Sequence, residues 1–114
     1  MSNKKLLGQR GEQIALHYYQ KLGYKLISKN YYSRYGELDL VLIKKNQITV
    51  VEVKTRCGYQ FSWAEESINT KKITNIYKTY QKLARAKKLP EWFNLEALII
   101  ELAKGQAIIR RYQI

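Results

Sequence analysis

Among its 114 residues the chain has one cysteine, one histidine and one proline. With Cys57 alone, no disulfide can form within the chain, and a reducing compartment is what such a sequence suits. Cys57 and His17 together cannot furnish a Cys/His zinc site within one chain. No apolar run approaches the ~20 residues needed to span a bilayer. The basic start, Met1 to Lys5, lacks the following apolar core of a signal peptide. The expected location is therefore the cytoplasm, with no membrane partner. Acidic side chains are also scarce: nine against 21 basic ones, for a net charge of +12. That balance argues for a polyanionic partner, nucleic acid ahead of an anionic membrane surface. At this length a single domain over residues 1–114 is expected, burying somewhere around 60–70% of its unfolded surface.

What the chain does have is concentrated between Gly36 and Arg56, GELDLVLIKKNQITVVEVKTR. Two short apolar runs flank Lys44, Lys45, Asn46 and Gln47, the pattern of two strands and a hairpin turn. Alternation puts Glu37, Asp39, Val41 and Ile43 on one face and Leu38, Leu40 and Leu42 on the other. A turn centred between Lys45 and Asn46 sets Val41 opposite Val50, Asp39 opposite Glu52, and Glu37 opposite Lys54. A slip of one residue would bring the charged face against Val51 and Val53, so the pattern itself fixes the register. Opposed carboxylates only ~5 Å apart destabilise a sheet unless a cation compensates them. Lys54 is one candidate cation and a bound divalent metal a stronger one. The plain alternative is an amphipathic hairpin whose charged face is wet. Both faces carry apolar residues, however, and charges placed among them are rarely left unpaired.

Before the hairpin, a helix is predicted from about Leu6 to Leu22, its core stripe being Leu7, Gly11, Ile14, Tyr18 and Leu22. Gly8 and Gly11 are expected where a neighbouring backbone comes close. Gly23 follows as a helix cap. Tyr24 to Ser28 reads as a short strand, and Asn30 to Gly36 as a connection carrying Tyr31, Tyr32, Arg34 and Tyr35. Such mixed aromatic and cationic side chains can meet a nucleic-acid backbone or pack at the core's edge. After the hairpin, Thr55 to Glu66 reads as a loop with Gly58, Tyr59, Phe61 and Trp63. A second helix runs from about Asn69 or Thr70 to Leu89, stopped by Pro90. Its core stripe is Ile73, Ile76, Tyr77, Tyr80, Leu83 and Ala84, and its other face is basic. Lys71 and Lys72 stand in its first turn, where the helix dipole disfavours cations and a phosphate would offset them. Strands from about Phe93 to Leu102 and Ala107 to Tyr112 close the chain.

The ordered set Gly8-x-x-Gly11-Glu12-x-x-Ala15, Gly23-Tyr24, Asn30-Tyr31, Gly36-Glu37-Leu38-Asp39-Leu40, Val51-Glu52-Val53-Lys54-Thr55-Arg56 and Lys72 resembles the YraN-like family. That family consists of small proteins of the PD-(D/E)xK nuclease superfamily, related to archaeal Holliday-junction resolvases. The resemblance runs from Gly8 to about Lys72 and weakens beyond. It implies an α/β fold with a restriction-endonuclease-like core: a mixed central sheet with flanking helices. It also implies metal-assisted phosphodiester hydrolysis, most naturally in DNA, with branched or junction DNA a suitable substrate.

In that reading Asp39 and Glu52 hold Mg²⁺, with Mn²⁺ able to substitute, and Glu12 of the first helix helps directly or through water. Lys54 orients the attacking water or stabilises developing charge. Arg56 and Lys72 are the first choices for phosphate contacts, with Lys71 and Arg34 beside them. Glu37 tunes Lys54 or marks a turn. Where relatives carry an acid near the start of the next strand this chain has Asn94, which receives no metal role. The competing readings are a non-catalytic nucleic-acid-binding module on the same scaffold and an RNA-directed nuclease. A weak homodimer is expected, since two symmetric cuts in a junction need two sites, and closed pairs are common. The last two strands and the Trp92-Phe93 pair offer surface for it.

Overall fold

The computed structural model describes residues 3–57 and 69–114. Helix α1 (Asn3–Lys21) leads into three strands, β1 (Lys25–Ser33), β2 (Gly36–Lys44) and β3 (Gln47–Cys57). Helix α2 (Thr70–Lys87) crosses over to β4 (Asn94–Ala103), and β5 (Gln106–Gln113) follows. All seven expected elements are present in the expected order. The strands lie side by side in chain order, with β3 and β4 parallel and the other neighbours antiparallel. A mixed five-stranded sheet with two helices is an α/β arrangement consistent with a restriction-endonuclease-like core.

The central hairpin has the register its hydrophobic pattern demands: Val41 faces Val50 and Ile43 faces Ile48. Lys45 and Asn46 both take positive φ (51° and 62°). Two such residues make the tight turn whose twist suits a hairpin. Each face of the sheet buries its own core. On the α1 side Ala15 and Tyr19 meet Leu40, Leu42, Val51, Leu98 and Ile100. On the α2 side Ile76, Tyr80 and Leu83 meet Val41, Ile48, Val50, Phe93 and Leu95.

Several expectations require correction. The α1 stripe is Gly11, Ala15 and Tyr19, with Ile14 and Tyr18 flanking it and Leu22 exposed. Small residues at 11 and 15 let the helix sit low on the sheet, and this rotates Tyr19 inward. The tyrosine-rich stretch after Ser28 is not a connection, because β1 continues to Ser33. Leu38 does not share a core with Leu40 and Leu42; it packs on the α2 side. The recorded β2–β3 ladder stops at Leu40 and Val51, just before Asp39 and Glu52. In α2, Thr79 is buried where Tyr77 was expected, and Tyr77 is half exposed while its ring leans on Phe93.

Asn69 caps α2 by accepting from the Lys72 N–H at 2.9 Å, and Lys88 closes it in the left-handed conformation. Of the surface expected to pair two copies, β4 and Phe93 are buried, whereas Trp92 and most of the edge strand β5 are exposed. Of the loop expected over Thr55 to Glu66, residues 55–57 belong to β3, and the rest, with Gly58, Tyr59, Phe61 and Trp63, lies outside the described residues.

Candidate functional site

Where the β2–β3 ladder ends, side chains replace it. The Asp39 carboxylate accepts from the Val53 N–H at 2.8 Å, and Glu52 accepts from the Asp39 N–H at 3.4 Å. Glu52 is buried and Asp39 partly so. Burial raises the proton affinity of both, and Asp39 adds further to that of Glu52. The two titrate as a pair. Opposing this is the charge of Lys72, in the first turn of α2.

α1 brings a third carboxylate and the β1–β2 hairpin a fourth. The first is placed by Gly11: a Cβ there would overlap the Thr55 hydroxyl, so α1 lies directly against β3 and Glu12 reaches the sheet. Carboxylate oxygens of Glu12, Glu37 and Asp39 lie within 4.8 Å of one another. Burial first, then the charge of Glu12, pushes the Glu37 carboxyl up, while a hydrogen bond from the Tyr32 hydroxyl holds it back. Tyr32 itself is 70% exposed. Across the β1–β2 register from Asp39 stands Asn30, with φ of 52° and a buried side-chain oxygen that has no hydrogen-bond partner.

Glu37 and Glu52 also line a groove of about 310 Å³ with Tyr35, Lys71, Lys72, Asn75 and Thr79. One side of the groove is thus acidic and the other is the basic start of α2. Lys54 is exposed on β3 and, by alternation, shares the side of Glu52. Arg56 is partly buried further along the same strand, opposite Glu101. Arg34 sits at the exposed β1–β2 turn, its guanidinium 2.6 Å from the Tyr35 hydroxyl.

Oxygens so spaced can share one cation with ligand distances of roughly 2.0–2.6 Å, and an all-carboxylate set suits a hard divalent ion. An orphaned buried acceptor at Asn30 and carboxyls with raised proton affinity both fit a positively charged occupant. The gathered set differs from the sequence expectation at two residues. Glu52, expected to hold the metal with Asp39, lies outside the trio. Glu37 was assigned to Lys54, whereas it clusters with Glu12 and Asp39. The signal was available, because Glu37 and Asp39 share a face by simple alternation.

The chain matches the uncharacterised protein family UPF0102 over residues 11–109. It belongs to this family, the YraN-like family of the resemblance above. A UPF0102 protein from Herpetosiphon aurantiacus is 33% identical, over 97% of this chain and 94% of its own. One from Alkaliphilus oremlandii is 38% identical, over 98% and 93%. A third, from Syntrophomonas wolfei, is 47% identical over 72 residues, 63% of each chain. UPF0102 membership thus covers both the carboxylate cluster and the start of α2.

Proposed function

We propose that this UPF0102 chain is a divalent-metal-dependent endonuclease that hydrolyses phosphodiester bonds, with DNA as its substrate. One observation carries the reading. A chain with nine acidic residues and 21 basic ones gathers four of the nine where α1 meets β2 and β3, against a lysine-bearing helix start. Four carboxylates so close destabilise the fold unless something positive joins them.

Glu12, Glu37 and Asp39 would hold Mg²⁺ or Mn²⁺, with Glu52 beside them. Bound there, the ion would polarise a phosphate and lower the pKa of a water. Lys72 and Lys71 neutralise the phosphate entering the groove, at the positive end of the α2 dipole. Lys54, on the side of Glu52, orients the attacking water or stabilises transition-state charge. Arg56 and Arg34 hold the substrate backbone farther out. Among the described residues the groups facing the groove suit phosphates rather than base edges, so recognition is expected to go through shape and backbone. Two symmetric cuts in a branched substrate would need a second copy, for which exposed β5 and Trp92 are the available surface.

A second reading has its own observation. Asp39 and Glu52 tie the two strands together through backbone N–H groups, a purely structural duty that a non-catalytic nucleic-acid-binding module could keep. A cleavage screen separates the two, using branched, single-stranded and duplex DNA and RNA with Mg²⁺ or Mn²⁺. Cleavage that disappears in EDTA and in Asp39→Asn supports the nuclease. Binding without cleavage of any substrate leaves the module.

A further inference from the structure

At the rim of the carboxylate groove, Tyr35 is flanked by cations. The Arg34 guanidinium lies 4.8 Å from its ring centroid, Lys78 Nζ 5.0 Å and Lys82 Nζ 5.3 Å. Among the described residues no carboxylate pairs with any of the three. Three like charges around one ring repel one another, and the ring's negative faces offset only part of that repulsion. The arrangement is nonetheless fixed. The Tyr35 N–H donates to Ser33 Oγ at 3.0 Å, and Ser33 Oγ lies 2.7 Å from Thr79 Oγ1, which is buried on α2. That link pins the β1–β2 turn to the helix carrying Lys78 and Lys82.

We propose that Tyr35, Arg34, Lys78 and Lys82 form a second phosphate subsite, which takes a phosphodiester of the same strand whose other phosphate lies at the carboxylate groove. Tyr35 belongs to both places, since it also lines that groove. Lys72, Lys78 and Lys82 share one helix, so Lys78 stands about 9 Å and Lys82 about 15 Å along it from Lys72. At ~3.4 Å of axis per nucleotide, the separation is about three to four nucleotides of a stacked strand. The subsite therefore sets a minimum strand length on that side of the groove. The inference rests on the nuclease reading for the identity of its ligand, but it predicts binding rather than cleavage.

The test is fluorescence anisotropy in EDTA, where no hydrolysis occurs, with labelled single-stranded DNA of two and of twelve nucleotides. Lys78→Ala/Lys82→Ala should flatten the log–log salt slope for the longer oligonucleotide by about 1.4, at ~0.7 per phosphate contact. It should leave binding of the dinucleotide unchanged. Both lysines are exposed, so the variant keeps its core. Equal salt slopes for variant and wild type would overturn the subsite. So would displacement of the twelve-mer by inorganic phosphate at matching concentration, which marks a free-anion site. Failure of the cleavage screen alone would leave these binding results standing, so the two hypotheses fail separately.

Discussion

Gly11 and Thr55 touch in a way that only glycine permits. A Cβ at position 11 would overlap the Thr55 hydroxyl and come within 2.8 Å of its Cβ. This contact sets the height of α1 over β3, and so the reach of Glu12. In an exposed helix Gly11→Ala would stabilise by about 1 kcal/mol. Here it is expected to destabilise by about 1–3 kcal/mol, as overpacking does. Denaturant unfolding measures the cost. Adding Thr55→Ala removes the overlapping oxygen and should restore part of it.

A second expectation concerns pH. Asp39 and Glu52 have folded-state proton affinities raised above their unfolded values, chiefly by burial. The folded state then binds more protons than the unfolded one, so stability falls as pH rises. The window opens near the ordinary carboxylate value of about 4 and closes at about 8, where the last proton of the pair leaves. Metal-free protein should accordingly lose melting temperature from pH 5 to pH 8. In Asp39→Asn, which can still accept from the Val53 N–H, that loss should shrink. Unchanged pH dependence in the variant would count against a coupled pair.

Strand register and element order were readable because a period of two leaves no freedom once one face is buried: Val41 must meet Val50 if Asp39 is to avoid Val53. The helix stripes were less readable. Gly11 fell in the expected stripe, but Ala15 is weakly hydrophobic and nothing in composition set it above Leu7 and Ile14; it is buried because the close Gly11–Thr55 contact brings α1 down onto the sheet. Leu38 was misplaced for a related reason. Strict alternation assumes a continuous ladder, whereas the recorded ladder ends at Leu40, where side chains take over the hydrogen bonds. The cation ring at Tyr35 was invisible because Lys78 and Lys82 come from α2, more than forty positions along the chain.

A third expectation uses the end of the sheet away from the carboxylates. Buried Glu96 accepts from the Tyr19 hydroxyl at 2.7 Å and from Arg111 Nε and Nη2 at 2.7 and 3.0 Å. Burial followed by Glu96 lifts the Tyr19 hydroxyl far above its ordinary range. Glu96→Ala strips acceptors from a buried phenol and a guanidinium. Because the Arg111 side chain is 34% exposed, water recovers part of the loss, and the cost is expected to be about 1–3 kcal/mol. Chemical denaturation should show it, with DNA affinity at low temperature unchanged. A matching fall in affinity would tie this network to binding.

The last expectation concerns Lys72, which serves two masters. Its charge partly relieves Asp39 and Glu52, and its place in the first turn of α2 presents it to an incoming phosphate. Lys71 lines the same groove, whereas it is the charge of Lys72 that lowers the proton affinity of both carboxylates. The two alanine variants should therefore separate. On duplex DNA each should flatten the log–log salt dependence by about 0.9, the loss of one phosphate contact. Only Lys72→Ala should also destabilise the metal-free protein at pH 8, because it leaves the carboxylate pair without its compensating charge. At pH 4, where the pair is protonated, that penalty should vanish. Mn²⁺ should restore the stability of Lys72→Ala at pH 8 more than that of wild type, since the ion replaces the missing positive charge. Equal thermal shifts for the two variants across pH would show that Lys72 acts on the phosphate alone.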